Sequence, residues 1–586
     1  MPASGILLPI MANTHYYSKP IRFFPFNIWD GFALLVIFAA FGFFAWGAKQ
    51  MSLPFQLGQA IPISLDPHML PSYALQSVLR MLMAMCFSLL FTFIVGGLAA
   101  KNKHAERIII PMVDILQSVP VLGYLSFTYV AFIALFPNSL MGPQCACIFV
   151  VFTAQVWNMT LGFYQTLKNI PGDLQEAAAM FHLTGWQKFW RIEVPLAMPS
   201  LTWNAMLSMS ASWVYLVANE AISVANQNIT LPGIGSYISL AVTEANLPAI
   251  FYAILTMFIV IMIYDQLLFR PIVAWSQKFR FEQNPNEDIP HSWFAEFLQR
   301  AHLKQYLTPF GAWLGNLFIN PPWINPQKKM ITFHEHPTVN KSLVIGWYVL
   351  IGIIVLISLS LAGKFIFSNL PVSEVWITFK LGCATLLRVM STVIISSLVW
   401  IPLGVWVGQR PQYARLVQPT IQFLAGFPMN LVFPIAVIVI TYLHLNAEIW
   451  VTALMILSCQ WYIAFNVIAG TTTLPQDYYY ATQNMGVKGW LWWKRFVLPG
   501  IFPYYVTGAL TAAGGAWNLS ILAEVIQWGQ TKIAVYGLGA YMTQYTNSGD
   551  FHRIALSIVM MCLFVVLINR ILWHPLYRLA QDRFGI

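Results

Sequence analysis

The feature that most constrains this chain is a series of long apolar segments joined by polar connections. A helix needs about 20 apolar residues to cross a bilayer, and the sequence holds about twelve segments near that length. Only 9% of the residues are charged, whereas about a quarter are charged in an ordinary soluble domain. The composition therefore excludes an ordinary water-soluble enzyme and predicts an all-α polytopic membrane protein.

The apolar segments form two sets of six, separated by a polar stretch rich in Pro, Asn and charge. We therefore expect a first half over 1–270, a linker over 271–341 and a second half over 342–586. In the linker, apolar residues recur at helical spacing over 291–307, which predicts an amphipathic helix on the membrane surface or on a partner. The expected spans are 31–48, 77–100, 109–136, 145–165, 200–222 and 249–269, then 343–367, 381–407, 417–443, 447–470, 500–523 and 554–573.

The net charge of +10 is concentrated in a few short loops, which is typical of membrane orientation and not of a nucleic-acid partner. With the N-terminus inside, the outer side receives few of the Lys and Arg residues, so both termini and the linker are expected in the cytoplasm. The outer set consists of Lys49, Arg80, Lys364, Lys380, Arg388, Lys532 and Arg553.

The two halves are related in sequence at nearly constant spacing. The first pairs are separated by 308 residues, and those beyond the third segment by 304. Because both halves have six segments in the same orientation, the repeat predicts a pseudo-two-fold axis along the membrane normal with a path between the halves. Matching pairs include Arg80 and Arg388, Pro120 and Pro428, Trp157 and Trp461, Pro171 and Pro475, Trp213 and Trp517, Glu220 and Glu524, and Gly233 and Gly537.

A long polar loop lies between the fourth and fifth segments of each half, over 171–199 and 475–503. In the first loop, Asp173 precedes Glu176 by three residues, which predicts a capping box at the start of a short helix. Such a helix outside the membrane suits contact with a soluble partner.

The first loop resembles the EAA loop of permease subunits of binding-protein-dependent ABC importers. The family pattern is Glu-Ala-Ala, then a Gly four residues later, then Ile-x-Leu-Pro. The first copy matches it at Glu176, Ala177, Ala178, Ile192, Val194 and Pro195, but has His182 where the Gly belongs and Gly185 one turn later. The second copy has Tyr480 in place of the Glu and matches at Ala481, Gly486, Leu498 and Pro499, with Gly489 as the counterpart of Gly185.

The resemblance implies an all-α type I ABC importer permease fold in a bacterial cytoplasmic (inner) membrane. It further implies that both loops are coupling helices that dock on two separate ATP-binding subunits, and that an extracytoplasmic solute-binding protein delivers the solute. The residues expected at the ATPase contact are Glu176, Ala177, Ala178, His182 and Gly185, and Tyr480, Ala481, Gly486 and Gly489. Since Glu176 can form a charge pair and Tyr480 cannot, the two contacts are not expected to be equal.

A narrower resemblance is to the nitrate/sulfonate/taurine group of these permeases. It is carried by segments 75–97, 210–223, 231–238, 514–527 and 535–542. Unlike most members of that group, this chain carries two permease units. The resemblance does not select one solute.

Six residues within the apolar segments are candidates for the solute path: Trp213, Glu220, Trp517, Glu524, Arg80 and Arg388. Each Glu follows a Trp by seven residues, so the two share a helix face. Ionisable groups inside a membrane face a cavity or a partner. The alternative is that the acids join helices or pair with the two arginines.

No cofactor and no metal site are predicted. The sequence has no G-x-x-x-x-G-K-[ST] motif, so ATP hydrolysis would occur in partner subunits. The pairs Gly233/Gly235 and Gly537/Gly539 are interpreted as tight turns, or else as contacts for a binding protein, and His334 and His336 as solvated.

The sequence thus predicts the permease of an ATP-driven importer of a small, ionic solute. One alternative is a twelve-span secondary transporter driven by an ion gradient, although the loop 99–108 lacks the charged pattern expected of it. A second is a membrane scaffold or enzyme, for which the sequence offers no catalytic arrangement.

Overall fold

The computed structural model describes residues 28–51, 61–224, 227–279, 341–474 and 476–584, with a few residues between 294 and 320. The pair His334/His336 and nearly all of the predicted amphipathic helix lie outside the described residues.

The first half is built from helices of unequal length and one β-hairpin. Several helices continue through one-turn π segments, at Thr92–Gly96, Phe189–Glu193 and Asp265–Phe269. The helices are α1 Ile28–Met51, α2 Leu70–Phe91, α3 Gly97–Lys101, α4 Lys103–Ser118, α5 Leu125–Leu135, α6 Met141–Lys168, α7 Gly172–Met180, α8 Gly185–Lys188, α9 Val194–Glu220, α10 Ile234–Thr243, α11 Leu247–Tyr264 and α12 Arg270–Ser276, and the strands are β1 Ala221–Val224 and β2 Gln227–Thr230.

The second half repeats this order. Its π segments, Trp493–Val497 and Asn569–Trp573, lie 304 residues after two of those in the first half. The helices are α13 Lys341–Phe367, α14 Val372–Gly408, α15 Pro411–Gly426, α16 Phe433–Tyr442, α17 Ala447–Thr472, α18 Gln476–Asn484, α19 Gly489–Trp492, α20 Leu498–Ala523, α21 Leu538–Ser548, α22 Phe551–Ile568 and α23 His574–Phe584, and the strands are β3 Val525–Trp528 and β4 Thr531–Ala534.

Eight helices in the described part are long and apolar enough to cross a membrane, and nine with one bent pair counted as a span. These nine coincide with nine of the twelve expected segments. The other three, 31–48, 109–136 and 200–222, coincide with α1, with α4 and α5 together, and with α9; as spans they stay predictions.

The third segment of each half is broken at a proline. Val119 and Phe427 precede Pro120 and Pro428, and both have extended backbone, as expected because the proline ring disfavours helical geometry at the residue before it. In the second half the helices on either side are bent by 75°. The matched prolines therefore account for the break in each half.

The all-α fold also contains two short β-hairpins. One antiparallel hairpin follows α9 and another follows α20, with registers such as Ile222 opposite Ile229 and Ile526 opposite Ile533. Half of the residues in these strands are β-branched, which favours extended structure. The hairpins and the helices α7 and α18, which we call the loop helices, lie at opposite ends of α9 and α20.

The two halves exchange parts of their cores. Phe427, Met429 and Leu431 of the second half lie in the core of the first, and Val121, Leu125 and Ile229 of the first lie in the core of the second. The hairpins cross over as well, because Gly529 donates its N–H to the carbonyl of Val242 in the first half at 2.8 Å. The broken segments and hairpins thus interlock the halves.

Candidate functional site

The first candidate site is a buried ion pair at the hairpin end of α9. Arg80 Nη1 and Glu220 Oε1 are 2.6 Å apart, and the two side chains are 2% and 0% exposed. Arg80 also donates to Gln144 Oε1 at 2.6 Å and to the Pro232 carbonyl at 2.8 Å. Ser77 Oγ donates to Glu220 Oε1 at 2.6 Å. Each charge is thereby hydrogen-bonded on several sides, as a buried charge requires.

The second half has the same pair with one extra acid. Arg388 Nη1 lies 2.9 Å from Glu524 Oε1, and Thr385 Oγ1 donates to the same oxygen at 2.8 Å. Arg388 also pairs with Glu448. Glu448 is half-exposed and accepts the N–H of Tyr536 at 2.9 Å. The first cluster is therefore neutral, and the second carries a surplus negative charge next to its hairpin.

The glycine pairs lie directly on the two carboxylates. Gly235 and Gly539 each donate a backbone N–H to the carboxylate of their own half at 2.7 Å. A Cβ at Gly233 would lie 2.3 Å from the Glu220 carboxylate, and one at Gly537 would lie 2.2 Å from Glu524 Oε2. Both glycines have extended backbone. The interpretation as tight turns is therefore wrong. Glycine is needed at 233 and 537 because the backbone approaches the carboxylate closely, and not because of a turn conformation.

Of the six residues predicted for the solute path, the structure joins the arginine and the acid of each half directly, whereas each tryptophan packs on an aromatic ring of another helix. Both acids pair with the arginine of their own half. Trp213 packs on Tyr264 with ring centroids 5.8 Å apart, and Trp517 stacks on Phe564 at 6.2 Å. Both tryptophans are buried. This geometry favours the alternative that these residues join helices, and their role in the path stays a prediction.

Sequence reasoning missed the polar partners of both clusters. Ser77 and Thr385 are separated by 308 residues, and Gln144 and Glu448 by 304. They obey the same repeat as the arginines and acids. A comparison of all polar residues at the two spacings would have found them.

The loop helices form where expected, but their capping differs from the prediction. Helix α7 begins after Pro171 without a side-chain cap, and Asp173 lies in its first turn. The expected capping box of Asp173 and Glu176 is therefore wrong. A capping box forms instead at α8, between Thr184 and Gln187.

Most residues predicted at the ATPase contact lie on the surface. Glu176, His182 and Gly185 are exposed, as are Tyr480, Gly486 and Gly489, whereas Ala178 is buried and Ala177 and Ala481 are half-buried. Large apolar side chains are exposed beside them, which marks a surface suited to a protein partner. They are Met180, Phe181 and Trp186 in the first loop and Tyr478, Met485 and Trp490 in the second.

The structure explains why the motif has a Gly after the Ala pair. Gly486 has φ +66°, and His182, its counterpart, has φ +51°. Both residues end their helices in the left-handed region, where Gly is unstrained and other residues pay about 1–2 kcal/mol. His182 therefore keeps the motif's backbone at an energetic cost.

A charge link joins α4 to the end of α6, next to the first loop. Glu106 accepts from Lys168 Nζ at 2.6 Å and from the Tyr164 hydroxyl at 2.5 Å. These hydrogen bonds, with that from Lys168 the stronger, lower the pKa of Glu106 from its ordinary value. The matching residues of the second half are apolar or uncharged, and Ala414 and Ile468 pack in a small core there.

The linker touches the first loop through Asn320. Its Oδ1 accepts from Gln187 Nε2 at 2.8 Å. The counterpart of Gln187 in the second loop is Leu491, whose side chain has no amide group to donate.

The comparison with protein families gives one match that occurs twice. The family model described as "Binding-protein-dependent transport system inner membrane component" matches residues 89–270 and 400–573. Each match lies within one predicted half and includes that half's loop helix, hairpin and acid.

Similar curated proteins are transport permeases. The bicarbonate transport system permease protein CmpB of Synechococcus elongatus is 28% identical over 164 residues, which are 28% of this chain and 58% of the relative. The nitrate import permease protein NrtB of Leptolyngbya laminosa is 25% identical over 201 residues, 34% of this chain and 68% of the relative. A probable ABC transporter permease of Brucella melitensis is 25% identical over 198 residues, 34% and 76% of the two chains. The match thus spans little more than half of the bicarbonate permease.

Proposed function

Because the chain belongs to the family of binding-protein-dependent transport system inner membrane components, we propose that it is the complete membrane part of one ATP-driven importer. Each half supplies one wall of a central path. Two separate ATP-binding subunits bind the loop helices α7 and α18, and an extracytoplasmic binding protein delivers solute at the hairpin end. Both termini and the linker lie in the cytoplasm in this arrangement.

The observation that carries the proposal is the duplicated, exposed loop helix at one end of the molecule. Glu176 and Tyr480 lie at matching positions on α7 and α18, each beside exposed aromatic or Met side chains. Helices α9 and α20 run from these loops to the hairpins over about 40 Å. Movement of a loop helix by a partner would therefore be transmitted along one continuous helix to the hairpin end.

The solute we propose is a small planar oxyanion of the kind that the relatives carry by name, bicarbonate or nitrate. The ion pairs Arg80–Glu220 and Arg388–Glu524 do not attract it, since each arginine is already neutralised. We assign these pairs, with Trp213 and Trp517, the role of holding the hairpins at the outer end of the path.

Uptake into liposomes tests the proposal. The chain is co-purified with its ATP-binding partner subunits, reconstituted with ATP inside and supplied with the binding protein outside. We expect uptake of bicarbonate or nitrate that requires both ATP and the binding protein. Uptake driven by an ion gradient without ATP would instead establish the secondary transporter.

A matched pair of variants tests the loop contact. Glu176→Ala removes an exposed acid from α7, and Glu244→Ala removes an exposed acid at the opposite end of the first half. We expect Glu176→Ala to weaken binding of the ATP-binding subunits about tenfold, the size of a lost contact worth about 1.4 kcal/mol, and Glu244→Ala to leave that binding near the wild-type affinity. Equal affinities in both variants would remove Glu176 from the contact.

A further inference from the structure

One face of α20 carries a polar stripe. Thr507, Thr511, Gly514 and Asn518 follow one another at intervals of four, three and four residues. At 100° per residue they fall within about 40° of one direction. Polar residues aligned in this way on a membrane helix face a partner or an aqueous space.

At its hairpin end the stripe contacts the first half. Asn518 Oδ1 accepts the backbone N–H of Val121, in the broken segment of the first half, at 2.7 Å. Toward the loop helix, Thr507, Thr511 and Gly514 are exposed. A Cβ at Gly514 would meet nothing within 4 Å. The stripe is therefore uncovered from Thr507 to Gly514, and toward the hairpins it ends where Asn518 is hydrogen-bonded to Val121 of the first half.

The matching face of α9 is different. The residues 304 positions earlier are Trp203, Leu207, Ser210 and Val214, which are mostly apolar. Helix α9 packs directly against α15 of the second half. Trp203 stacks on Phe465 with centroids 6.0 Å apart, and a Cβ at Gly426 would lie 2.6 Å from Ser210 Cβ. The pseudo-symmetric seam is thus filled.

We propose that solute crosses this protein along the α20 face formed by Thr507, Thr511, Gly514 and Asn518, while the α9 face serves as a packed wall. The path is one-sided although the fold is repeated. This inference rests on the proposed transport function, and it assigns the solute contacts of that function to the second half.

The chemistry of the α20 face favours passage of the solute over tight binding of it. Thr507 and Thr511 donate their hydroxyls to backbone carbonyls of α20 at 3.0 and 2.9 Å, and Asn518 Nδ2 donates to the Gly514 carbonyl at 3.1 Å. The four residues carry no charge. An oxyanion therefore finds one remaining amide N–H of Asn518 as a donor and no positive charge that would hold it, and such weak contacts allow an ion to leave a path as well as enter it.

The substitution Gly514→Phe tests the proposal by filling the open space. Gly352→Phe is the matched control, because a Cβ at Gly352 also meets nothing within 4 Å, but Gly352 lies on α13, whose apolar part is only 6% buried and so faces lipid. We expect Gly514→Phe to lower ATP-driven uptake at least about tenfold at equal amounts of assembled complex, and Gly352→Phe to stay within about twofold of wild type. Equal uptake in the two variants would overturn the proposal.

A second measurement does not depend on transport or on assembly of the Phe variant. In membrane vesicles, Thr511→Cys should react with a charged, water-soluble thiol reagent, whereas Gly352→Cys, surrounded by lipid, should not; the wild type with its six cysteines gives the background. Failure of Thr511→Cys to react above that background would overturn the one-sided path. A wild-type complex without ATP-driven uptake would refute the proposed function instead, and the labelling would still decide whether the face is open.

Discussion

At the residue scale, the two ion-pair clusters differ in charge because of one side chain, Gln144 against Glu448. Arg80 has one carboxylate partner, and Arg388 has two. A buried charge that loses its partner costs about 3–5 kcal/mol, far more than an exposed pair contributes. The loss of stability on removing an acid should therefore be larger where no other carboxylate remains beside the arginine.

We expect Glu220→Gln to be the most damaging of three variants, at about 3–5 kcal/mol, because Arg80 is left buried without a carboxylate. Glu524→Gln should cost less, since Arg388 keeps Glu448. Glu448→Gln should cost less than about 1 kcal/mol, because it recreates the arrangement of the first half. Thermal unfolding of the purified variants in detergent measures the order, and a Glu448→Gln variant as unstable as Glu220→Gln would contradict it.

The left-handed residues of the two loops give a second prediction. Gly486→Ala should destabilise the end of α18 by about 1 kcal/mol, because its φ of +66° is strained for Ala while no atom within 4 Å opposes the Cβ. His182→Gly should relieve the same strain in the first loop. Hydrogen exchange of the loop amides reports both effects.

Gly172→Ala is the control for these variants, since its Cβ also meets open space and its φ is not positive. Its loop should exchange no faster than in the wild type. If the loop amides of the Gly486→Ala variant exchange as slowly as those of the Gly172→Ala variant, backbone strain is not the reason for the glycine in the motif.

At the element scale, the link from Glu106 to Lys168 ties α4 to the helix that leads into the first loop. The pKa of Glu106 is lowered in the folded state, so the link stabilises above the unfolded pKa of about 4.3 and its contribution is lost as pH falls through the folded value. Because both side chains are partly exposed, the contribution is about 0.5 kcal/mol.

A double-mutant cycle with Glu106→Gln and Lys168→Met measures this link. We expect a coupling energy between the two positions at pH 7 that falls as acid protonates the Glu106 carboxylate. A coupling that is unchanged by acid would show that the carboxylate is not its source.

The elements also show what could be predicted from sequence. The helices were predictable because an apolar run near span length has few other stable structures in a membrane. The breaks at Pro120 and Pro428 were missed, since we expected continuous segments over 109–136 and 417–443, although the matched prolines signal them. The hairpins were missed as well, since four-residue strands such as 221–224 continue an apolar segment and only their pairing distinguishes them from helix ends. The clusters were predicted in part, because the repeat identified Arg80 and Glu220. Whether these residues line the path or join helices depends on the distance between their side chains, which the sequence does not give.

At the scale of the whole molecule, the chain contains two copies of the type I ABC importer permease fold, and the two halves interlock. The family match at 89–270 and 400–573 places one permease unit in each half. The halves are nevertheless unequal: the ion-pair clusters differ in charge, the loops differ at Glu176 and Tyr480, and open space lies beside α20 while the matching face of α9 packs on α15. Fusion permits this, because each copy of a repeat within one chain can change on its own.

The central claim is that one chain provides both halves of the transporter. Native mass spectrometry of the complex purified with its ATP-binding subunits tests it most directly, because the masses give the stoichiometry without any assumption about the solute. We expect one copy of this chain with two ATP-binding subunits, one on each loop helix. A complex containing two copies of this chain would contradict the account.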